Sequence, residues 1–266
     1  MLTLAESLSQ REWQIMDSVN RLRLVTGSQL ERLHFSELTG RSRSVVRWRV
    51  LKRLVDARVL MPLARRVGGS LRGSAQLTYA LDTAGERLLQ LRRNLHQADE
   101  RIRRPAPTGD RFVRHTLATS ELYVQLVERS LAHGFRLADF LAEPGSWWPN
   151  GVGGWIKPDA YAALSSTLID DHWWIEVDLA TEAVPTLRGK FLAYLDFVHA
   201  GQVGPADVVP HVLVTVPSDT RFDIVAAVLD RLPAPADQLF EVALHTRAVD
   251  LLLEELRLAH QDAANG

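Results

Sequence analysis

The stretch IKPDAYAALSSTLIDDHWWIEVDLATE, residues Ile156 to Glu182, places Asp159 directly after Pro158, then Glu176 and Asp178 on either side of Val177. Carboxylate oxygens are the ligands that a hard divalent cation such as Mg prefers, and such a cation activates water or polarises a phosphoryl group. Along a strand, side chains alternate between faces. Glu176 and Asp178 therefore share a side with Trp174, while Trp173, Ile175 and Val177 face the other way. Two accounts of these acids stay open at this level. Either they hold a shared metal, or they sit at a solvated sheet end, with Asp159 capping a turn after Pro158.

The elements that must position them can be read on both sides. DRFVRHTLATSELYVQLVERSLAHG carries Phe112, Leu117, Leu122, Leu126 and Leu131 at mostly helical spacing and stops at Gly134. Strand-like runs follow at FRLADFLAE, WIKPDAYAAL and HWWIEVDLA. A helix opens beside Pro185 and closes at Gly201, the apolar strand PHVLVTV follows, and a helix (219–232), a strand (QLFEVALH) and a last helix (247–258) complete the chain. The predicted order is helix, three strands, helix, strand, then helix, strand, helix.

The first part of the chain has a different character. Residues 1–109 carry 20 Lys and Arg against 10 Asp and Glu, whereas residues 110–266 carry 11 against 22, so an overall charge of -1 hides a strong segregation. A basic segment joined to an acidic one points to a nucleic-acid-binding half and a half with another task. The bland alternative is a pair of oppositely charged surfaces that attract each other.

Within the basic half, Ser9 and Glu12 have capping-box spacing before Trp13, Ile15, Met16, Val19 and Leu22. After Gly27 a second short helix is predicted from Ser28, with Glu31 three residues on, and a third from Arg41 or Ser42 to about Arg58. Three helices with the last two tightly joined make the helix-turn-helix plan, whose third helix enters the major groove. On that helix Val46, Val50, Leu51 and Leu54 gather on one side and Arg41, Trp48, Arg49, Lys52 and Arg53 on the other. Arg43 and Arg47 fall nearer the apolar side, early enough to reach phosphate from the helix end.

VLMPLARRVGGSLRGSAQLTYALD then reads as two strands around a glycine-rich turn, with Leu77, Tyr79 and Leu81 alternating: a wing that carries Arg65, Arg66 and Arg72 toward DNA. Gly68 and Gly73 have the spacing of a phosphate loop without its Lys and Ser/Thr, so nucleotide binding is not predicted. Thr83 and Glu86 make another capping box, and the basic RIRRPAPTGD reads as a linker. The expected organisation is a winged-helix domain (1–98), a linker (99–109), a mixed-sheet domain (110–258) and a disordered tail (259–266).

With Pro158-Asp159 on the second strand and Glu176-Val177-Asp178 on the third, the second half resembles the restriction-endonuclease-like fold with its PD-(D/E)xK motif. The chain as a whole, winged helix first, resembles the replication-relaxation family of plasmids and integrative elements. The resemblance implies an α+β fold in which Asp159 and Glu176 match the two metal-binding acids. The motif's lysine is replaced by Asp178, which can ligate a metal but supplies no positive charge. Lys190 on the next helix, near Tyr194, could supply that cation, and Glu121 is a further candidate acid. An active site of this kind would use Mg or Mn, held by Asp159, Glu176 and Asp178; a decayed one would need no cofactor.

The partners expected are double-stranded DNA, a second copy of the chain through the amphipathic RAVDLLLEELRLA, and replication or mobilisation proteins. The competing expectations are a Mg-dependent endonuclease or nickase, and a transcriptional regulator whose acidic domain dimerises. The chain has no cysteine, which excludes disulfides, thiolate zinc sites and a Cys nucleophile. No run reaches the roughly 18 apolar residues of a membrane span, and MLTLAESLSQREWQ lacks the pattern of a signal peptide, so a cytoplasmic location is expected. The nine histidines show no metal-ligand spacing. Trp147, Trp148, Trp155, Trp173 and Trp174 are expected in the core, with stacking on an unpaired base as the alternative.

Overall fold

A computed structural model of the chain describes residues 2–63, 77–92, 109–133 and 135–265. It is an α+β structure that divides into two compact units, Met1–Val124 and Gln125–Gly266. No helix among the described residues is long and apolar enough to cross a membrane.

The first unit begins with a short helix α1 (Leu2–Ser7) that the sequence pattern did not announce, followed by α2 (Gln10–Leu22). Ser9 caps α2 and Glu12 closes the capping box as predicted, satisfying amides that the first helical turn leaves unpaired. A two-residue strand β1 (Val25–Thr26) leads into α3 (Gly27–His34). Here the cap is Thr26 with Gln29, rather than Ser28 with Glu31: Thr26 has extended backbone and its hydroxyl accepts from the Gln29 amide. Glu31 is thereby released for a different role, described below.

Helix α4 (Gly40–Asp56) follows, its first residue in the left-handed region at φ +55°, which a glycine adopts without the Cβ penalty. Strands β2 (Leu60–Leu63) and β3 (Thr78–Leu81) pair antiparallel, and β1 adds to the other edge of β3 in the order β1-β3-β2. The connection between β2 and β3, with Arg65, Arg66, Arg72 and the two glycines, lies outside the described residues, as does most of the expected 99–109 linker. Helix α5 (Thr83–Arg92) starts at Thr83, and the residue before it, Asp82, accepts from the Thr83 amide at 2.7 Å. Ile15, Met16, Val19, Leu30, Phe35, Leu51, Leu54 and Leu88 are fully buried and form the core of this unit.

The division between the units falls inside α6 (Asp110–His133), not at 99–109. The cause is local: Ser120 donates to the Leu24 carbonyl at 2.7 Å, and Glu121 is held by Gln29 (3.0 Å) and Arg32 (2.5 Å), so the first half of α6 belongs with α2 and α3.

The second unit is built on a five-stranded mixed sheet in the order β10-β9-β8-β7-β4. Its strands are β4 (Arg136–Ala142), β7 (Ala160–Ser165), β8 (Asp170–Val177), β9 (His211–Val216) and β10 (Phe240–Leu244), while β5 (Trp148–Pro149) and β6 (Trp155–Ile156) form a separate small hairpin. Strands β4, β7 and β8 are antiparallel neighbours, whereas β8, β9 and β10 run parallel. The parallel strands are joined through α7 (Val184–His199) and α8 (Asp219–Leu229), the connection a parallel pair requires. Strand β8 thus sits where the antiparallel and parallel halves meet. Its second half, from Trp173, is buried along with all of β7, as expected of strands covered on both faces.

Trp174 packs on Tyr194 and Phe197 of α7, while Trp173 meets His211 edge-on at 5.0 Å. The tryptophan expectation holds fully for these two only. Trp147 and Trp148 are half-buried, and Trp155 is 55% exposed. A short helix α9 (Ala236–Leu239) precedes β10, and α10 (Ala248–Asn265) ends the chain. Where a disordered tail is expected from residue 259, the helix continues to Asn265. Ala248, Val249, Leu252 and Leu256 bury the apolar stripe of α10 within its own unit.

Candidate functional site

Two places gather the residues singled out by the sequence. The first is the end of β8. Asp159 immediately precedes β7, in register opposite Glu176 of the neighbouring strand, and its Oδ2 accepts the Val177 amide at 2.7 Å. Glu176 points to α7, where Lys190 donates to one carboxylate oxygen at 2.6 Å and the Tyr194 hydroxyl to the other at 2.5 Å. Asp178 lies one residue past β8 on the same face. It takes the Nε–H of Arg221 from α8 on Oδ2 and the Ala180 amide on Oδ1 at 2.8 Å, and Arg221 also donates to the Glu182 carbonyl at 2.8 Å. All three acids and Arg221 are buried.

The electrostatics follow from this burial. Desolvation and the neighbouring Asp159 charge push the Glu176 carboxyl up to about 7, against the pull of Lys190 and Tyr194. Burial works against the Lys190 ammonium, but Glu176 and Asp159 outweigh it and hold its proton more firmly than usual. The Tyr194 hydroxyl is raised well above its ordinary value by burial and by the carboxylate it serves. Near Asp178, burial lowers the His245 imidazole while the Asp178 charge opposes it.

This arrangement does not fit a metal site. Both oxygens of Glu176 and both of Asp178 are already engaged by protein donors, and one oxygen of Asp159 is spent on a backbone amide. Among the described residues no group of three or more His, Cys, Asp or Glu is placed to hold a metal ion. Lys190 does stand beside Glu176 as predicted. Arg221 was not anticipated. It lies 43 residues beyond Asp178, and its only sequence signal is a basic residue in the first turn of the apolar RFDIVAAVL. Glu121 is engaged within the first unit by Gln29 and Arg32.

The second place is α4. Its inward residues are Leu51, Leu54 and Arg47, the last buried and ion-paired with Glu31 of α3. Arg43 folds back over the α3–α4 turn, donating to the carbonyls of Leu38 (2.7 Å) and Ser36 (3.1 Å). Arg53 reaches the other way, to Glu12 at 3.0 Å and the Ser7 carbonyl at 2.8 Å. Of the seven α4 residues expected to face DNA, these three are therefore engaged by the protein. Lys52 is exposed and pairs with Asp56 one turn on at 2.5 Å. Arg41, Trp48 and Arg49 are exposed, and none makes a hydrogen bond, ion pair or ring contact among the described residues.

A comparison with curated proteins returned no match. The family model described as replication-relaxation matches residues 16–212, a span that takes in α3, α4, the end of β8 and Lys190. The chain belongs to the replication-relaxation family.

Proposed function

We propose that the chain is a DNA-binding protein of a plasmid or integrative element, acting in replication, mobilisation or their control. It holds duplex DNA through its first unit and uses the second as a binding or assembly platform. The observation that carries this reading is the outward face of α4. Arg41, Arg49 and Lys52 project from a segment with twice as many basic as acidic residues, and their neighbours Arg43, Arg47 and Arg53 brace the helix from behind. The order α2-β1-α3-α4-β2-β3 supports a winged helix, in which α4 enters the major groove. The family's association with replication of such elements agrees with it.

A salt titration of affinity for a duplex tests the reading. Each phosphate contact contributes roughly 0.9 to the slope of log K against log salt, so Arg49→Ala should flatten it by about one unit. Unchanged affinity in both Arg41→Ala and Arg49→Ala would remove α4 from the interface.

A second reading, a metal-dependent endonuclease or nickase, is favoured by one observation, the Lys190 ammonium beside Glu176. We place it second because that ammonium and the Tyr194 hydroxyl occupy the oxygens a metal would need. On this account the buried acids bind α7 and α8 to the sheet end, and DNA is held but not cut.

A further inference from the structure

The exposed stripe of α4 is not purely cationic. At 100° per residue Arg41, Val45, Trp48 and Lys52 fall along one line of the helix with Arg49 beside it, so two apolar side chains interrupt three cations. Trp48 is 50% exposed and Val45 36%, while the other large apolar residues of the helix are buried or half-buried. Phosphate is gripped by charge and hydrogen bonds; the indole N–H of Trp48 can donate one such bond, but its ring face and the Val45 side chain add nothing to that grip. The major-groove edge of a base pair offers one apolar feature, the methyl group on C5 of a pyrimidine, present in thymine and in methylated cytosine.

We propose that Trp48, with Val45, contacts the 5-methyl group of a pyrimidine in the major groove, and so makes the helix selective for sequence rather than merely for phosphate. The inference rests on the DNA-binding reading above. Arg41 and Arg49 flank the apolar pair, where each can fork onto a guanine edge or clamp phosphate. Arg47 and Arg43, held by Glu31 and by the carbonyls of Leu38 and Ser36, fix which way this stripe looks.

The test selects sites with the full chain from a pool of random synthetic duplexes. It then resynthesises them with single thymines replaced by deoxyuridine and, in a second arm, single cytosines by 5-methylcytosine. At one position, losing the methyl should weaken binding about fourfold, or gaining it strengthen binding by as much, the factor that burial of one methyl-sized group corresponds to. The two arms tell thymine from methylcytosine. Trp48→Ala should abolish this sensitivity and Trp48→Phe should keep it; the side chain is exposed, so both variants fold. Indifference of the parent to both exchanges, or undiminished sensitivity in Trp48→Ala, overturns the inference and leaves DNA binding standing. If no duplex is bound at all, the DNA-binding reading falls and the inference with it.

Discussion

Glu176 is buried at the end of β8, and its two carboxylate oxygens accept from Lys190 and Tyr194. That it shares a face with Asp178 follows from the period of a strand and is legible in WWIEVD; which helix covers that face is not. That its oxygens are taken by Lys190 and Tyr194 is legible only as proximity along the next helix, and the Arg221 partner of Asp178 is not legible at all, because pairing across 43 residues leaves no local pattern. The environment of Glu176 makes a signed prediction. Its folded pKa is raised from 4.5 to about 7, so its contribution to stability is complete below about pH 4.5 and is lost as pH rises through about 7. Removing Lys190 takes away a group that lowers this pKa and leaves the ionised carboxylate buried without its cation. Lys190→Ala should therefore cost about 3 kcal/mol at pH 8, the order seen when one partner of a buried pair is deleted, and much less at pH 5, where Glu176 is protonated. Urea unfolding at the two pH values measures the difference, and an equal loss at both would contradict it.

His34 has the opposite sign. Burial and then the Arg11 charge lower its imidazole to about 4, with Asp17 opposing, while Ser18 shares a hydrogen bond with it at 2.9 Å. A lowered histidine contributes stability above pH 6.5 that is lost as pH falls through about 4. Unfolding of the parent and of His34→Gln between pH 7 and 4 should show a shallower decline in the variant.

At the scale of elements, α4 separates bracing residues from presented ones, which helical periodicity alone did not do. The 100° projection put Arg47 at the border of the apolar side, and only the release of Glu31 from the α3 cap shows why it turns inward. Arg47→Ala should consequently cost about 3 kcal/mol of stability, as the loss of one member of a buried pair does, whereas Arg49→Ala should stay within about 0.5 kcal/mol, as surface changes do. Thermal unfolding beside the binding titration would distinguish them: Arg49→Ala binds weakly and melts normally. Helix ends were legible where a side-chain cap marks them, as Ser9 does for α2, and less so elsewhere. The end of α10 was missed because residues 261–264 are exposed and carry no apolar period. Residues 259–265 continue by propagation from the docked part of the helix, through good formers such as Ala and Gln.

For the whole molecule, the segregation of 20 basic residues before position 110 from 22 acidic ones from position 110 onward is the clearest statement in the sequence, and it agrees with two units of different construction. Element order was also legible, since long apolar runs and glycine breaks report directly on strands and helices. The boundary inside α6 was not, because a continuous helix gives no compositional sign of which core each half enters. The two titrations predict opposite behaviour of the units. Lowering pH from 6.5 to 4 weakens the one containing His34, whereas raising it from 4.5 to 7 weakens the one containing Glu176. Pulse proteolysis in urea across this range, with fragments assigned by mass, should find the unit containing His34 becoming easier to cleave relative to the other as pH falls from 7 to 4.

The proposed function requires that the chain hold DNA with α4 and leave it uncut, its acids being engaged by Lys190, Tyr194 and Arg221. The most direct measurement incubates the protein with supercoiled plasmid and Mg or Mn at low salt and reads mobility and topology on one gel. The expected result is a retarded plasmid that is released supercoiled when the protein is removed. Nicked or linear product made by the parent, and lost in both Asp159→Ala and Glu176→Ala, would contradict it.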